Sequence, residues 1–213
     1  MGWNDKVYNR HLKAKNEAMN RSFITNEGYE VKIIDYKDRH TVTIEIQDEY
    51  KYKTVTTMQN IRKGQIKNPY KRTVYDVGYY GVGRYKARVN NKKTLHYIKW
   101  FSMFNRCYNP KYHERQPRYK DCIVDERFHN FQDFSKWMDE NWYEYDEMLE
   151  LDKDLLLEGN RIYSPDKCCF IPKEINIALN NRRKDKEYMQ KLYDKYKNIL
   201  PKNIVEALYK TIK

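Results

Sequence analysis

The chain has 213 residues, 40% of them apolar and 15% aromatic, enough for one good core or two small ones and too much for a disordered polymer. No apolar run approaches the roughly 18 residues of a membrane-spanning helix, and Met1 to Arg10 is polar, unlike a signal peptide, so a cytoplasmic setting without membrane contact is expected. The formal net charge is +12, unevenly spread: residues 1–130 carry 27 Lys/Arg against 14 Asp/Glu, residues 131–158 carry 2 against 10, and residues 181–213 carry 10 against 4.

Two basic blocks around an acidic insert suit a polyanionic partner, because each phosphate neutralised releases condensed counterions. The plainer alternative is a lysine-rich surface that serves solubility alone. The 21 tyrosines favour the first reading, since their rings stack on bases or pack under sugars. Four cysteines, two of them adjacent at Cys168 and Cys169, make no disulfide framework and predict reduced thiols.

In chain order, residues 1–22 predict a basic helix or arm, with Val7, Leu12 and Met19 too sparse for a core-facing stripe. Residues 23–75 alternate with period two, above all at Val42, Ile44 and Ile46, with a turn at Asp38-Arg39 and a weaker strand over Tyr52 to Met58. A small antiparallel β module, SH3-like or barrel-like, is expected there.

Residues 76–180 predict a second, α+β domain. Gly78, Gly81 and Gly83 are read as turn residues needing positive φ, followed by a strand over Tyr85–Val89 and a turn at Asn90-Asn91. A helix carrying Trp100, Phe101 and Phe104 ends before Asn109-Pro110, and a polar loop with Arg106, Lys111, Arg115, Arg118 and Lys120 interleaved with tyrosines is the candidate backbone-binding surface. Asn130 is the expected N-cap of a helix whose stripe is Phe131, Phe134, Trp137 and Met138. Residues 181–213 predict a basic helical tail broken by Pro201, with Arg182, Arg183 and Lys184 as further phosphate contacts.

One stretch carries polar residues in a pattern that suggests chemistry. From Leu151 it reads L-D-K-D-x5-N, then Y-S-P-x-x-C-x-F, then I-N ending at Asn176. With the G-V-G-x-Y of Gly81 to Tyr85, the W-x-x-M-x-x-R-C-Y of Trp100 to Tyr108 and the F-x-x-F-x-x-W of Phe131 to Trp137, it resembles a phage-encoded HNH-type (His-Me finger, ββα-metal) endonuclease-like family. That resemblance spans about Gly78 to Asn176 and implies a ββα-metal-like central domain in a host cell's cytoplasm. It also implies DNA as partner, with RNA left open, and Mg²⁺ or Mn²⁺ as cofactor in an active enzyme.

In such a site Asp152 and Asn176 would hold the metal, Asn160 would orient the loop or the base, and Lys153 stands where the general-base histidine belongs. A charged lysine has no lone pair with which to take a proton from water, though it binds phosphate as a point charge. His113 or His129 is the expected replacement base. The readings that follow are a divalent-metal-dependent endonuclease or, alternatively, a catalytically inactive DNA-binding regulator or an inhibitor of host defence acting through DNA or a host protein. No zinc is expected, because Cys107, His113, Cys122 and His129 lack the paired spacing of structural zinc sites.

Overall fold

Residues 3–180 and 185–213 are described by the computed structural model, which is α+β and divides into two units between Tyr70 and Lys71. Arg182, Arg183 and Lys184 lie outside the described residues.

The first unit opens with helix α1 (Trp3–Met19), in which Ala18 is the only buried side chain among those described. Four strands follow as an antiparallel meander in the order β1 (Ser22–Ile24), β2 (Glu30–Asp38), β3 (Thr41–Ile46) and β4 (Lys53–Thr56). Strict alternation along β3 sends Val42, Ile44 and Ile46 fully inward, each worth about 1.5–3 kcal/mol of apolar burial. Strand β2 pairs Val31 with Ile46 and Ile33 with Ile44, and then bulges. The extra residue shifts the phase, so that Tyr36 rather than Asp35 enters the core. Asp38 Oδ1 shapes the turn between β2 and β3 by accepting the N–H groups of His40 and Thr41 at 2.7 and 2.9 Å. Helix α2 (Met58–Arg62) is N-capped by Thr57, and the Met58 N–H donates to Arg39 O at 2.9 Å, which ties α2 to that turn.

The second unit begins with a loop and a short hairpin, β5 (Arg88–Val89) and β6 (Lys92–Lys93), turned by Asn90 and Asn91 with φ of 48° and 60°. Of the three glycines expected to need positive φ, Gly81 does, at 64°. Gly78 and Gly83 are required for another reason: a Cβ on Gly78 would lie 2.9 Å from the Phe104 ring and 3.0 Å from Trp100, and one on Gly83 would meet the Gln132 side chain.

Helix α3 (Leu95–Tyr108) is capped by Thr94 and ends at Asn109, whose side chain caps α4 (Pro110–Arg115) by accepting the Lys111 N–H. Then come β7 (Ile123–Val124), α5 (Phe131–Asn141) capped by Asn130, β8 (Leu149–Asp152), β9 (Ile162–Tyr163), β10 (Cys169–Pro172), α6 (Lys173–Asn180), α7 (Lys186–Tyr196) and α8 (Lys202–Lys210). Strands β8 and β10 pair antiparallel, Asp152 opposite Cys169, and β7 pairs parallel with β9.

Strand β10 lies between two cores and its alternation serves both. Phe170 joins Trp100, Phe104, Phe128, Phe131 and Phe134 in the first, while Cys169 and Ile171 join α6, α7 and α8 in the second through Ile175, Leu192, Tyr196, Ile204 and Leu208. The one polar atom of Trp100 is satisfied, its Nε1–H donating to Phe128 O at 2.8 Å. The C-terminal helices thus dock on the core through their apolar stripes, leaving their lysines outward. All four cysteines are buried free thiols within these cores.

Candidate functional site

The loop from Lys153 to Arg161, between β8 and β9, is shaped by two side chains. Asp152, at the last position of β8, is 5% exposed, and its Oδ1 accepts the N–H groups of Asp154 and Leu155 at 2.9 and 2.7 Å. It turns the chain out of the strand at that point, so the alternation that would separate Lys153 from Asp154 does not continue. Asn160 closes the other end: its amide donates to Lys153 O and Ile162 O, both at 2.8 Å, and its Oδ1 accepts the Ile162 N–H at 3.0 Å.

Lys153 is held inside this loop. Its Nζ donates to both carboxylate oxygens of Asp154 at 2.7 and 2.8 Å and to Asn160 O at 2.7 Å. An ammonium so placed has each hydrogen directed at an acceptor. The ring of Tyr119 lies 5.9 Å from Nζ, measured to the centroid.

The parallel pairing of β7 with β9 brings a distant segment alongside. Ile123 N–H donates to Arg161 O at 2.9 Å, which places the single turn of Pro117–Tyr119 across from the loop. Together these segments form a cleft of about 180 Å³ lined by Arg118, Tyr119, Lys153, Asp154, Gly159, Asn160, Arg161 and Asn180. Arg118 reaches across it to donate to Asn180 Oδ1 at 2.8 Å, and the Asn180 amide in turn donates to Asn176 O and Oδ1. Arg161 is anchored at the rim by Asp121, 3.1 Å away, in a pair whose side chains are more than half exposed and therefore weakly coupled.

Of the residues expected from the sequence, Lys153, Asn160 and Arg118 meet in this cleft. Asp152 and Asn176 do not line it. The Asp152 carboxylate lies behind it, and the Asn176 oxygen is turned to Asn180, one helical turn further along α6. Arg106 is also interior, donating to Leu151 O and the Tyr163 hydroxyl at 3.3 Å each. Lys111, Arg115 and Lys120 are exposed on the same polar segment as Arg118. His113 donates through Nε2 to Arg106 O at 2.8 Å and His129 through Nε2 to Val124 O at 3.0 Å, and neither lines the cleft. Tyr119 is one of the tyrosines interleaved in the candidate backbone-binding loop, and Asp154 stands with Asp152 apart from the solvated acidic run in the sequence. Arg161 and Asn180 were not singled out: Arg161 adjoins Asn160, and Asn180 follows Asn176 by the four-residue step that keeps two side chains on one helix face.

Electrostatically the lining has three cations, Arg118, Lys153 and Arg161, and one carboxylate, Asp154. No family model, curated protein or solved structure matches this chain.

The divalent ion that the sequence resemblance implies does not fit these residues. Mg²⁺ and Mn²⁺ need accessible carboxylate or carbonyl oxygens facing a common, solvated space. Here Asp152 is buried with one oxygen committed to two backbone donors, Asn176 is committed to Asn180, and three cations face the cleft that holds Lys153 and Asn160. Thiol chemistry finds no support either, because burial pushes Cys107, Cys122, Cys168 and Cys169 all up from the ordinary thiol range.

Proposed function

We propose that this chain binds nucleic acid and does not hydrolyse it: a DNA-binding protein on an HNH-like, ββα-metal-like scaffold, with a small SH3-like module at its N-terminus. The antiparallel pair β8 and β10, with the loop and β9 between them in the chain and α6 directly after β10, supports the scaffold reading, since two antiparallel strands and a helix are the parts that the sequence resemblance requires. The observation that carries the functional reading is the charge of the cleft, three cations around one carboxylate, which favours a phosphate and disfavours a metal cation.

In this reading Arg118 and Arg161 grip the phosphate oxygens from either side, their planar guanidinium groups offering paired donors. Lys153 supplies a fixed positive charge from below, its position set by Asp154 and Asn160. Tyr119 provides a ring edge for a neighbouring sugar or base. Lys111, Arg115 and Lys120 extend the positive surface along the duplex. These contacts fix position on the backbone without reading sequence.

The test is binding of the full chain to a fluorescent random-sequence duplex over a salt series. Changing Arg118 and Arg161 together to Ala should weaken binding at every salt concentration and lower the log–log salt slope by about 2, near one for each phosphate no longer neutralised. Wild-type affinity and slope in that double variant would refute the assignment of the cleft.

A further inference from the structure

A second basic surface lies in the first unit, well separated in sequence from the cleft and built from different elements. The bond from the Met58 N–H to Arg39 O seats the start of α2 against the turn between β2 and β3. The groove between them, about 590 Å³, is lined by Arg39, His40, Thr57, Met58, Gln59, Arg62 and Lys63. No carboxylate is in that lining. Asp38, the nearest acid in sequence, has its Oδ1 turned into the turn, on the N–H groups of His40 and Thr41.

Arg39, His40, Arg62 and Lys63 are all exposed, and among the described residues Arg39, Arg62 and Lys63 make no ion pair with an acid. The side-chain contact that Arg39 does make is to another basic group, its Nε–H donating to His40 Nε2 at 2.9 Å. Three charged side chains, Arg39, Arg62 and Lys63, are therefore gathered on one face with no acid paired to them, and His40 lies among them as a hydrogen-bond acceptor. Uncompensated charge of this kind creates a local positive potential that an external anion relieves.

The surface is also longer than one contact. An adjoining groove of about 380 Å³ shares Met58 and Arg62 with the first and adds Arg21 at its far side. Its one acid, Glu17, has Lys13 4.0 Å away along α1. The basic groups thus run from Arg39 and His40 through Lys63 and Arg62 to Arg21.

We infer that this track is a second nucleic-acid backbone site, which binds successive phosphates of a duplex independently of the cleft in the second unit. A polyanion fits it better than a protein partner does. Protein interfaces centre on exposed aromatic or large apolar anchors, and the only large apolar side chain in the Arg39 groove, Met58, is itself buried. Gln59 and the lysine and arginine heads are the donors that meet phosphate oxygens in protein–DNA contacts.

The experiment uses the full chain and the same fluorescent duplex over a salt series. It compares the wild type, a variant with Arg39→Ala, Arg62→Ala and Lys63→Ala, the Arg118→Ala, Arg161→Ala variant, and all five changes combined. All three changed side chains in the first unit are exposed, so the fold should tolerate their loss, which circular dichroism checks. The triple variant should bind about tenfold or more weakly at low salt, with a salt slope lowered by about 2 to 3, and the combined variant should show both decrements. Wild-type affinity and slope in the triple variant, with the cleft variant impaired, would overturn this inference and leave the cleft assignment standing. Impairment of the triple variant alone would support it and overturn the cleft. Displacement of the duplex from this face by poly-glutamate at equal charge concentration, as readily as by unlabelled duplex, would overturn it in favour of an acidic protein partner.

Discussion

Asp152 and Lys153 are consecutive, yet the fold uses them in opposite ways. Asp152 is buried behind the loop, and its carboxyl is held above its ordinary value of 3.8 by that burial first and by the nearby charge of Asp154 as well, with the Leu155 and Asp154 N–H groups pulling the other way. A folded-state pKa raised in this manner favours the folded protein only while the acid is protonated. The contribution is complete below the unfolded value and is lost as pH rises through the folded one, so at neutral pH the ionised side chain costs stability. Asp152→Asn keeps the oxygen that accepts both backbone N–H groups and removes the charge. Urea denaturation should therefore find the variant no more stable than the wild type at about pH 3, and increasingly more stable as pH approaches 7. A wild type more stable than the variant at pH 7 would mean that ionised Asp152 has a cationic partner, such as a metal ion, and would count against its structural role. Lys153, by contrast, directs its Nζ at Asp154 and Asn160 O and lines the cleft.

At the scale of elements, α3 passes so close to the Gly78 backbone that a Cβ there would lie 2.9 Å from the Phe104 ring. The Phe104 and Trp100 rings there are fully buried and cannot yield as a surface chain would, so Gly78→Ala should cost about 1–3 kcal/mol in urea denaturation. A neutral substitution would show that α3 is free to shift. Elements whose signals are local were legible in the sequence. The end of α3 before Asn109-Pro110, the Asn130 cap of α5 and the alternating face of β3 follow from caps and periodicity alone. The strand expected over Tyr85–Val89 shrank to Arg88–Val89 because a distant side chain took over its backbone. Gln132 accepts the Tyr85 N–H and donates to Tyr85 O, both at 3.0 Å, in place of a strand partner. The loop of the candidate site was legible for the same local reasons, through the spacing of Asp152, Lys153 and Asn160. Its other wall was not, because Arg118 and Tyr119 arrive through the pairing of β7 with β9, and no periodicity within either two-residue strand announces it.

Across the whole molecule, the excess of positive charge resolves into defined surfaces. The cleft gathers Arg118, Lys153 and Arg161 in the second unit, and the groove beside α2 gathers Arg39, His40, Arg62 and Lys63 in the first. The acidic insert of residues 131–158 meanwhile supplies local partners, as where Asp139 receives His96 at 2.7 Å and Tyr85 at 2.7 Å, and Glu150 receives Lys99 at 3.1 Å. Such a distribution suits a protein held on a polyanion by phosphates at more than one place, without a metal ion between protein and backbone. The most direct measurement of that claim follows binding and cleavage together, with supercoiled plasmid and purified full chain at matched low ionic strength in Mg²⁺, Mn²⁺ or EDTA. The expected result is equal retardation of the plasmid in all three, with the DNA left supercoiled. Nicking that requires Mg²⁺ or Mn²⁺ and disappears in Asp152→Asn would contradict it.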